Sequence, residues 1–365
     1  MKDIILKLEE NYFLSDEEFR LLIEDESEEI LNFLNKRAEA VRKKVYGNAV
    51  YIRGLIEFTN YCKNDCYYCG IRKSNSQAER YRLTAEQILD CCETGYALGF
   101  RTFVLQGGED GFFTDEKMVE IIKQIKNAYP DCALTLSIGE RSYDSYKAFF
   151  DAGADRYLLR HETADCAHYS RLHPSNLSLE NRMKCLYDLK KIGFQVGCGF
   201  MVGSPYQTTE SIISDLKFIK ELSPHMVGIG PFVPHNATPF KNFEQGSLNL
   251  TLKLLSIIRL MLPNVLLPAT TALGTIDSMG REKGILAGAN VVMPNLSPRD
   301  VRKKYLLYDN KICTGDEAAE CILCMKNRMK SIGYEIVTNR GDHKKNITRS
   351  NIDYGRKSES NTECQ

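Results

Sequence analysis

The sequence predicts an α/β fold: a complete (β/α)8 TIM barrel with N-terminal helices and a C-terminal cysteine-bearing extension. From Ala49 onward, short apolar runs rich in β-branched residues alternate with longer amphipathic stretches, a pattern typical of repeated βα units with a parallel sheet. Eight such runs occur, and eight parallel strands are the number that closes a TIM barrel. The predicted strands are 49–58, 102–108, 133–139, 156–162, 195–203, 226–234, 264–271 and 290–296.

The chain divides into four predicted segments. A helical lead-in is predicted for residues 1–46. Ser15 and Glu18 have the spacing of a capping box, and apolar residues such as Phe19 and Leu22 recur at helical spacing. The predicted barrel covers residues 47–300, and the extension covers 301–337. Residues 338–365 form a polar tail whose composition cannot pack a core. Helices are predicted between the strands at 84–98, 115–128, 142–152, 179–192, 208–222, 251–261 and 278–287.

Composition excludes several classes of partner. The 365 residues include 48 Lys and Arg against 48 Asp and Glu, so no basic surface is available for nucleic acid or an anionic membrane. The N-terminal stretch has no apolar segment with a cleavage site, and no apolar run reaches 18 residues, so we expect a cytoplasmic protein. The 13 cysteines should stay reduced there, which favours metal-binding or catalytic roles for clustered ones.

The loop after the first predicted strand, 59–72, carries Cys62, Cys66 and Cys69 in a C-x3-C-x2-C spacing. Three thiolates can hold three corners of a cubane iron–sulfur cluster and leave one iron without a protein ligand. Structural zinc is a weaker interpretation because it requires four ligands, and no fourth Cys or His lies nearby. Inert buried cysteines are weaker still, because this stretch is polar and turn-like. We therefore predict a cluster with one open iron.

Other polar residues follow the predicted strands at their C-terminal ends, where the active sites of TIM barrels form. After the second strand, Gly107-Gly108-Glu109 lets the backbone approach a small ligand and supplies a carboxylate for an ammonium, although a plain tight turn is the alternative. The fourth strand places Arg160 and Glu162 on one side, and Arg182 follows in the next helix. These charges indicate either a structural ion pair or a site for sugar and carboxylate groups.

Ser137, Thr270 and Thr271 lie at the ends of two further predicted strands. The two threonine hydroxyls suit hydrogen bonding to a small polar substrate, but helix capping explains one of them equally well. We expect structural roles for four histidines that do not form a spaced metal set, namely His161, His173, His225 and His235. In the extension, Cys313, Cys321 and Cys324 predict a second iron–sulfur cluster, 2Fe-2S or 4Fe-4S, or a zinc site with a further ligand.

The C-x3-C-x2-C spacing, with Tyr68 directly before the last cysteine, resembles the signature of radical S-adenosylmethionine (SAM) enzymes. In that family, the amino and carboxylate groups of SAM chelate the fourth iron, and an electron from the cluster cleaves the sulfonium to a 5′-deoxyadenosyl radical. The resemblance implies that Cys62, Cys66 and Cys69 hold a 4Fe-4S cluster. It also implies contacts to SAM from Tyr68, Gly108, Glu109, Ser137, Glu162, Arg182 and Met201, the last beneath the adenine.

Within that superfamily, the chain resembles the FeFe-hydrogenase maturases over nearly its whole length up to the tail. The matching stretches are YCKNDCYYCGIR, LQGGEDG, YLLRHETAD, GFMVGSPYQT, GIGPFVPHNATPF, LPATTALGTID and GANVVMPNLSP. The resemblance implies a substrate cavity lined by Thr135, Arg160, Thr270, Thr271, Met293 and Tyr305. Of these, Arg160, Thr270, Thr271 and Tyr305 join the three cluster cysteines as expected catalytic residues.

The resemblance also implies a substrate and partners. The family helps to build the two-iron subcluster of the hydrogenase from a small organometallic substrate, a cysteine-bound iron carbonyl cyanide unit. Expected partners are the other hydrogenase maturases, a tyrosine-cleaving radical SAM enzyme and a GTPase scaffold. No nucleic acid or membrane partner is expected.

Three alternatives differ in chemistry. Biotin synthase resembles the chain but uses strand cysteines and an arginine for a sacrificial cluster, whereas Pro268-Ala-Thr-Thr here has no arginine. A methylornithine synthase-like mutase is the closer alternative, with an amino-acid pocket. A non-catalytic iron–sulfur scaffold or electron carrier belongs to another class and would not need the Gly107-Gly108-Glu109 turn or the Arg160 and Glu162 pair. Release of 5′-deoxyadenosine separates that class from both enzymes.

Overall fold

A computed structural model describes residues 1–312 and 318–344. Three helices begin the chain: α1 (Lys2–Asn11), α2 (Asp16–Glu24) and α3 (Glu28–Tyr46). The predicted capping box at the start of α2 is confirmed, since the Glu18 N–H donates to Ser15 Oγ (3.3 Å) and the Ser15 N–H donates to Glu18 Oε2 (3.0 Å). Three helices therefore occupy the chain before the first strand.

Parallel strands follow the lead-in. They are β1 (Ala49–Ile52), β2 (Gly54–Thr59), β3 (Thr102–Gly107), β4 (Ala133–Ser137), β5 (Arg156–Leu158), β6 (Gln195–Cys198), β7 (Met201–Val202), β8 (Met226–Val227), β9 (Gly230–Pro231), β10 (Val291–Val292) and β11 (Glu335–Val337). Six of them form one parallel sheet in the order β2-β3-β4-β5-β6-β8. A second sheet has the order β10-β1-β11, and β7 pairs with β9. The α/β class with a parallel sheet is confirmed.

The predicted strand 264–271 differs from the structure. It contributes isolated parallel bridges, Leu266 to Met226 and Pro268 to Val291, instead of a continuous ladder. Proline has no N–H to donate, and the next helix begins directly after Thr270, so only a short stretch can pair. The parallel pairing nevertheless continues from β8 through these bridges to β10.

Helices connect the strands. They are α4 (Ala85–Ala97), α5 (Asp115–Ala128), α6 (Tyr143–Asp151), α7 (Cys166–Leu172), α8 (Leu179–Ile192), α9 (Thr209–Leu222), α10 (Leu248–Met261), α11 (Thr271–Ile276), α12 (Gly280–Leu286), α13 (Arg299–Arg302) and α14 (Ile322–Ser331). All seven predicted helices are present within a few residues of their predicted ends. The sequence missed α7, α11 and α13, which are too short to show helical periodicity, and it also missed α14.

One large apolar core fills the space between the sheet and the surrounding helices, and the N-terminal helices pack into it through Leu8, Phe19 and Leu34. In the described part of the chain, no helix is both long and apolar enough to cross a membrane. The C-terminal ends of β2, β3 and β4 carry the cysteine loop, the Gly107-Gly108-Glu109 turn and Ser137. The core thus fixes one edge of the sheet on which the candidate site residues lie.

Residues 338–344, the described part of the predicted polar tail, pack through charged groups near the N-terminal ends of β5 and β6. Asp342 accepts hydrogen bonds from Arg156 Nη2 (2.6 Å), Arg340 Nε (2.8 Å) and Gln195 Nε2 (2.9 Å). Burial alone would raise the pKa of Asp342, but the charges of Arg156 and Arg340 outweigh it and hold that pKa below its usual range. Ion pairs and hydrogen bonds therefore hold this segment against the sheet.

Asp342→Asn should lower the free energy of unfolding at neutral pH by about 2 kcal/mol, because Arg156 loses its charged partner. A depressed carboxyl pKa stabilises the fold above the unfolded value of about 4 and ceases to do so as the pH falls further. The difference between wild type and variant should therefore shrink below about pH 4 in denaturant titrations. Asp151→Asn, which removes an exposed ion pair with Lys147, is the matched control and should change stability little. A pH-independent difference would contradict this account.

Candidate active site

The cysteine loop is held from three sides by backbone hydrogen bonds. The Lys63 N–H donates to the Glu109 carbonyl (2.9 Å), the Tyr67 N–H to the Leu172 carbonyl (3.0 Å) and the Gly70 N–H to the Leu307 carbonyl (2.8 Å). Within the loop, Arg72 makes a bidentate pair with Asp65 (2.7 and 2.6 Å). Arg80 donates to several of the loop's carbonyls, including that of Ile71 (2.9 Å). These protein contacts hold the loop in its path.

The loop brings Cys62, Cys66 and Cys69 together as half-buried thiols. Burial raises the pKa of Cys69 to about 12, and the neighbouring Cys62 adds to the rise. Burial also raises the pKa of Cys66, with further contributions from the other two thiols. Among the described residues, no three Cys, His, Asp or Glu side chains are arranged as a ready metal site. Three coupled thiols fit a cationic group, because a bound cation favours the thiolate form that a ligand must adopt.

Gly108 lies against the cysteine loop, where a side chain has no room. A Cβ at this position would collide with the Tyr61 carbonyl oxygen and lie 2.8 Å from Cys62 Cβ. Glu109 follows as a buried carboxylate: Oε1 accepts the Glu140 N–H (3.0 Å) and Oε2 lies 3.2 Å from Lys63 Nζ. The close approach of the Tyr61 backbone therefore requires glycine at this position, and the turn places a carboxylate next to the cysteine loop.

Tyr68 is fixed by a histidine that the sequence assigned only a structural role. The Tyr68 hydroxyl lies 3.2 Å from His173 Nε2, and His173 Nδ1 lies 3.0 Å from the Tyr169 carbonyl. The carbonyl can only accept, so Nδ1 carries the proton and Nε2 accepts from the tyrosine. Burial lowers the pKa of His173 to about 3, which keeps the ring neutral. Met201 belongs to the same apolar cluster as Tyr68.

Arg160, Glu162 and Arg182 lie together. Glu162 has a φ of 66°, a left-handed conformation that costs energy for a residue other than glycine, and its side chain is buried. Glu162 Oε2 forms an ion pair with Arg160 Nη2 at 3.0 Å, although the two atoms are not aligned as a hydrogen bond. Arg182 Nε lies 2.6 Å from Glu140 Oε1. Burial would lower the pKa of Arg182, but Glu140, Tyr169, Glu109 and Tyr68 together outweigh burial and raise it.

Thr135 lies two residues before Ser137 on β4 and is deeper. Its buried Oγ1 has no hydrogen-bond partner among the described residues. It lines a cavity of about 10 Å³ with Arg53 and Arg156, among others. Met293 packs nearby against the cluster that contains Met226 and Leu266. Thr135 is thus separated in depth from Ser137, which lies at the end of the strand.

Thr270 and Thr271 differ in their surroundings. Thr270 is the N-cap of α11 but its side chain makes no capping hydrogen bond, and its buried Oγ1 has no partner among the described residues. Thr271 Oγ1 accepts a hydrogen bond from Arg281 Nη2 (3.1 Å). Capping therefore explains neither hydroxyl, and Thr270 is the one left available for a ligand.

A buried network that the sequence analysis missed surrounds Tyr305. The Lys311 ammonium pairs with Glu57 Oε1 and donates to the Tyr305 carbonyl (2.9 Å), while Asn295 Nδ2 donates to Glu57 Oε2 (2.9 Å). The Tyr305 hydroxyl lies 3.5 Å from Gln106 Nε2. The signal in the sequence was Glu57, a charged residue inside an otherwise apolar predicted strand.

The cysteines of the extension lie elsewhere. Cys321 is half-buried directly before α14, and Cys324 is exposed in the first turn of that helix. Cys313 lies outside the described residues. The structure therefore brings two of the three predicted ligands to one helix end.

Comparison with known proteins agrees with a three-cysteine site. Residues 56–219, which include the cysteine loop, match the radical SAM superfamily. The [FeFe] hydrogenase maturase subunit HydE of Thermotoga maritima is 44% identical over 82% of this chain and 85% of its own. The chain belongs to the radical SAM superfamily. It is a radical SAM enzyme, and membership implies a 4Fe-4S cluster and SAM as cofactors.

Other members of the superfamily are more distant in sequence. The 3-methylornithine synthase of Methanosarcina acetivorans is 30% identical over 90% of this chain and 92% of its own. A crystal structure of methylornithine synthase superimposes with a TM-score of 0.81 at 30% identity, covering 92% of this chain and 97% of that one. The fold is therefore shared with methylornithine synthase, to which the sequence is less similar than it is to HydE.

Gly108→Ala should displace the cysteine loop of this radical SAM enzyme, because the new Cβ has no space beside Tyr61 and Cys62. A misplacement of roughly 1 Å near reacting groups can cost on the order of 100-fold in rate. Iron content and 5′-deoxyadenosine formation after anaerobic reconstitution would measure the effect. Gly111→Ala is the matched control, since nothing lies within 4 Å of its Cβ position. Equal activity of the two variants would disprove the requirement at Gly108.

Proposed function

We propose that this enzyme acts in assembly of the two-iron subcluster of FeFe-hydrogenase, on a cysteine-bound iron carbonyl cyanide precursor. The observation that carries the proposal is the 44% identity to HydE over 82% of the chain, against 30% for a methylornithine synthase. Similarity in fold does not separate the two functions, because the fold is common to both.

We propose that Cys62, Cys66 and Cys69 would hold a 4Fe-4S cluster and leave one iron open for SAM. When bound, the cluster would supply the electron that cleaves SAM to a 5′-deoxyadenosyl radical. Three thiols on one fixed loop, with no fourth ligand in it, support this assignment. The buried Glu109 beside the loop suits the cofactor's ammonium.

The remaining proposed contacts to SAM come from buried or partly buried groups around the loop. They are Tyr68, Gly108, Ser137, Glu162, Arg182 and Met201. The buried carboxylate of Glu162 supports a role in binding the ribose hydroxyls, and the apolar surroundings of Met201 support a contact to adenine. Burial of these groups would also exclude water from a reactive radical.

We propose that the substrate lies deeper, against Arg160, Thr270, Thr271, Thr135, Met293 and Tyr305. Arg160 would pair with the carboxylate of the cysteine moiety. The unpartnered hydroxyls of Thr135 and Thr270 support polar contacts, because a buried hydroxyl without a partner is costly in the free protein. The apolar side chain of Met293 and the buried ring of Tyr305 would complete the walls.

We also propose that the sheet closes as a complete (β/α)8 barrel. The bridges of Leu266 to Met226 and Pro268 to Val291, with the pairing of Val291 to Tyr51, support closure. A second cluster at Cys313, Cys321 and Cys324, not needed for the radical step, stays a prediction. So do the cytoplasmic location and the partnership with a tyrosine-cleaving maturase and a GTPase scaffold.

We predict that hydrogenase activation in a cell-free maturation assay will require this enzyme and will fail with Cys66→Ala. The variant removes a cluster ligand, so it should also form no 5′-deoxyadenosine with dithionite and SAM. Normal maturation without the enzyme would disprove the proposed function. Conversion of lysine to methylornithine by the wild-type enzyme would replace it with the mutase function.

Thr270→Val, which is nearly isosteric, should keep SAM binding but reduce hydrogenase activation by about ten-fold, the effect of one lost polar contact worth about 1.4 kcal/mol. The Thr270 hydroxyl has no protein partner among the described residues, so its removal should not destabilise the free enzyme. Thr275→Val is the control on the same helix, because its hydroxyl donates to the Thr271 carbonyl (3.0 Å). Equal activation by both variants would argue against a substrate contact at Thr270.

A further inference from the structure

The turn 160–164 carries Glu162 in a conformation that needs support from outside. A φ of 66° is unfavourable for a residue with a Cβ, and such strain persists only when surrounding contacts fix it. The Glu162 N–H donates to the Gly199 carbonyl (3.0 Å), which anchors one point of the turn. A single backbone hydrogen bond does not determine the direction of the neighbouring residues.

His161 supplies a second anchor from behind the turn. Its Nδ1 accepts the Gly199 N–H (3.2 Å), so both backbone groups of Gly199 bind this turn. The imidazole is fully buried and packs against the rings of Phe218 and Phe200, with centroids 4.9 and 5.9 Å away. The residue before the strained glutamate is thereby fixed to Gly199, the residue directly after β6.

Asp215, on α9, supplies the third anchor. Its Oδ1 accepts the Ala164 N–H (2.5 Å) and lies 3.3 Å from His161 Nε2, and its side chain is fully buried. Because Nδ1 of His161 accepts a hydrogen bond, the ring proton is on Nε2, facing this carboxyl oxygen. One carboxyl group thus links the residues on both sides of Glu162.

We propose that His161 and Asp215 are positioning residues that hold Glu162 in its left-handed conformation, so that its carboxylate faces the SAM site. The proposal rests on the role of Glu162 in SAM binding given above. Neither side chain touches the cofactor site directly; both act through the backbone of residues 161–164 and Gly199.

Residues 161 and 215 serve the turn through their polar groups and not only by filling space. Two apolar side chains would fill the same space without the desolvation cost of burying a carboxyl and an imidazole. Burial lowers the pKa of His161 to about 3 and raises the pKa of Asp215, so ionisation of either group is disfavoured. The pair therefore acts through hydrogen bonds to the turn.

The test compares four variants of the full chain. His161→Phe keeps the ring packing but loses both nitrogens, and Asp215→Leu removes the acceptor of the Ala164 N–H. Asp215→Asn keeps an acceptor oxygen and is the conservative variant. His168→Phe is the matched control, because His168 is buried and bonded to the Pro205 carbonyl (3.0 Å) but makes none of the turn's hydrogen bonds.

Two quantities are measured: the dissociation constant of SAM with anaerobically reconstituted protein, and amide hydrogen exchange of the 160–165 peptide in cluster-free protein. We expect His161→Phe and Asp215→Leu to weaken SAM binding about ten-fold, equivalent to about 1.4 kcal/mol, and to speed exchange. Asp215→Asn should stay near wild type in both. His168→Phe should lower the melting temperature without changing SAM affinity.

Unchanged SAM affinity in His161→Phe would overturn the proposal, as would an equal loss of affinity in His168→Phe. If Asp215→Leu does not fold, His161→Phe, which preserves the packing, decides the question. Hydrogenase maturation is not part of this measurement, so failure of the proposed function would be recognised separately.

Discussion

The backbone hydrogen bonds that fix the cysteine loop from three sides are the constraint on which the rest of the site depends. Their acceptors are the carbonyls of Glu109, Leu172 and Leu307. The segments that supply them also carry site residues: Glu109 itself, His173 next to Leu172, and Tyr305 two residues before Leu307. Because loop and site groups share the same anchors, a shift of the loop would move the groups proposed to bind the cofactor and substrate.

The second constraint is the cost of polar groups in a buried interior. Some are satisfied within the protein, as in the pair of Glu57 with Lys311, and these stabilise the arrangement. Others, such as Thr270 Oγ1 and Thr135 Oγ1, have no hydrogen-bond partner in the described part of the chain. Buried polar atoms of this kind are expected where a ligand completes the bonding. The hydroxyls of Thr270 and Thr135 are therefore groups that the proposed substrate would satisfy.

Much of this was predictable from the sequence, and the exceptions have physical causes. The alternation of apolar runs with amphipathic stretches predicts the parallel sheet, and the spacing of three cysteines predicts their common loop. Periodicity could not predict the broken pairing around Pro268, since it depends on one missing N–H. It also could not assign His161 and His173 to the elements that they support, because those contacts join residues distant in sequence.

The segment after the last predicted strand shows why the active site cannot be equated with the strand ends alone. Asn60, at the start of the cysteine loop, donates a side-chain hydrogen bond to the Lys304 carbonyl (2.7 Å). The Leu307 carbonyl accepts the Gly70 N–H. Lys311, in the same segment, reaches Glu57 on β2. These contacts join the cysteine loop to the interior of the sheet through one piece of chain. That piece is therefore part of the site, whereas Cys321 and Cys324 lie beyond it.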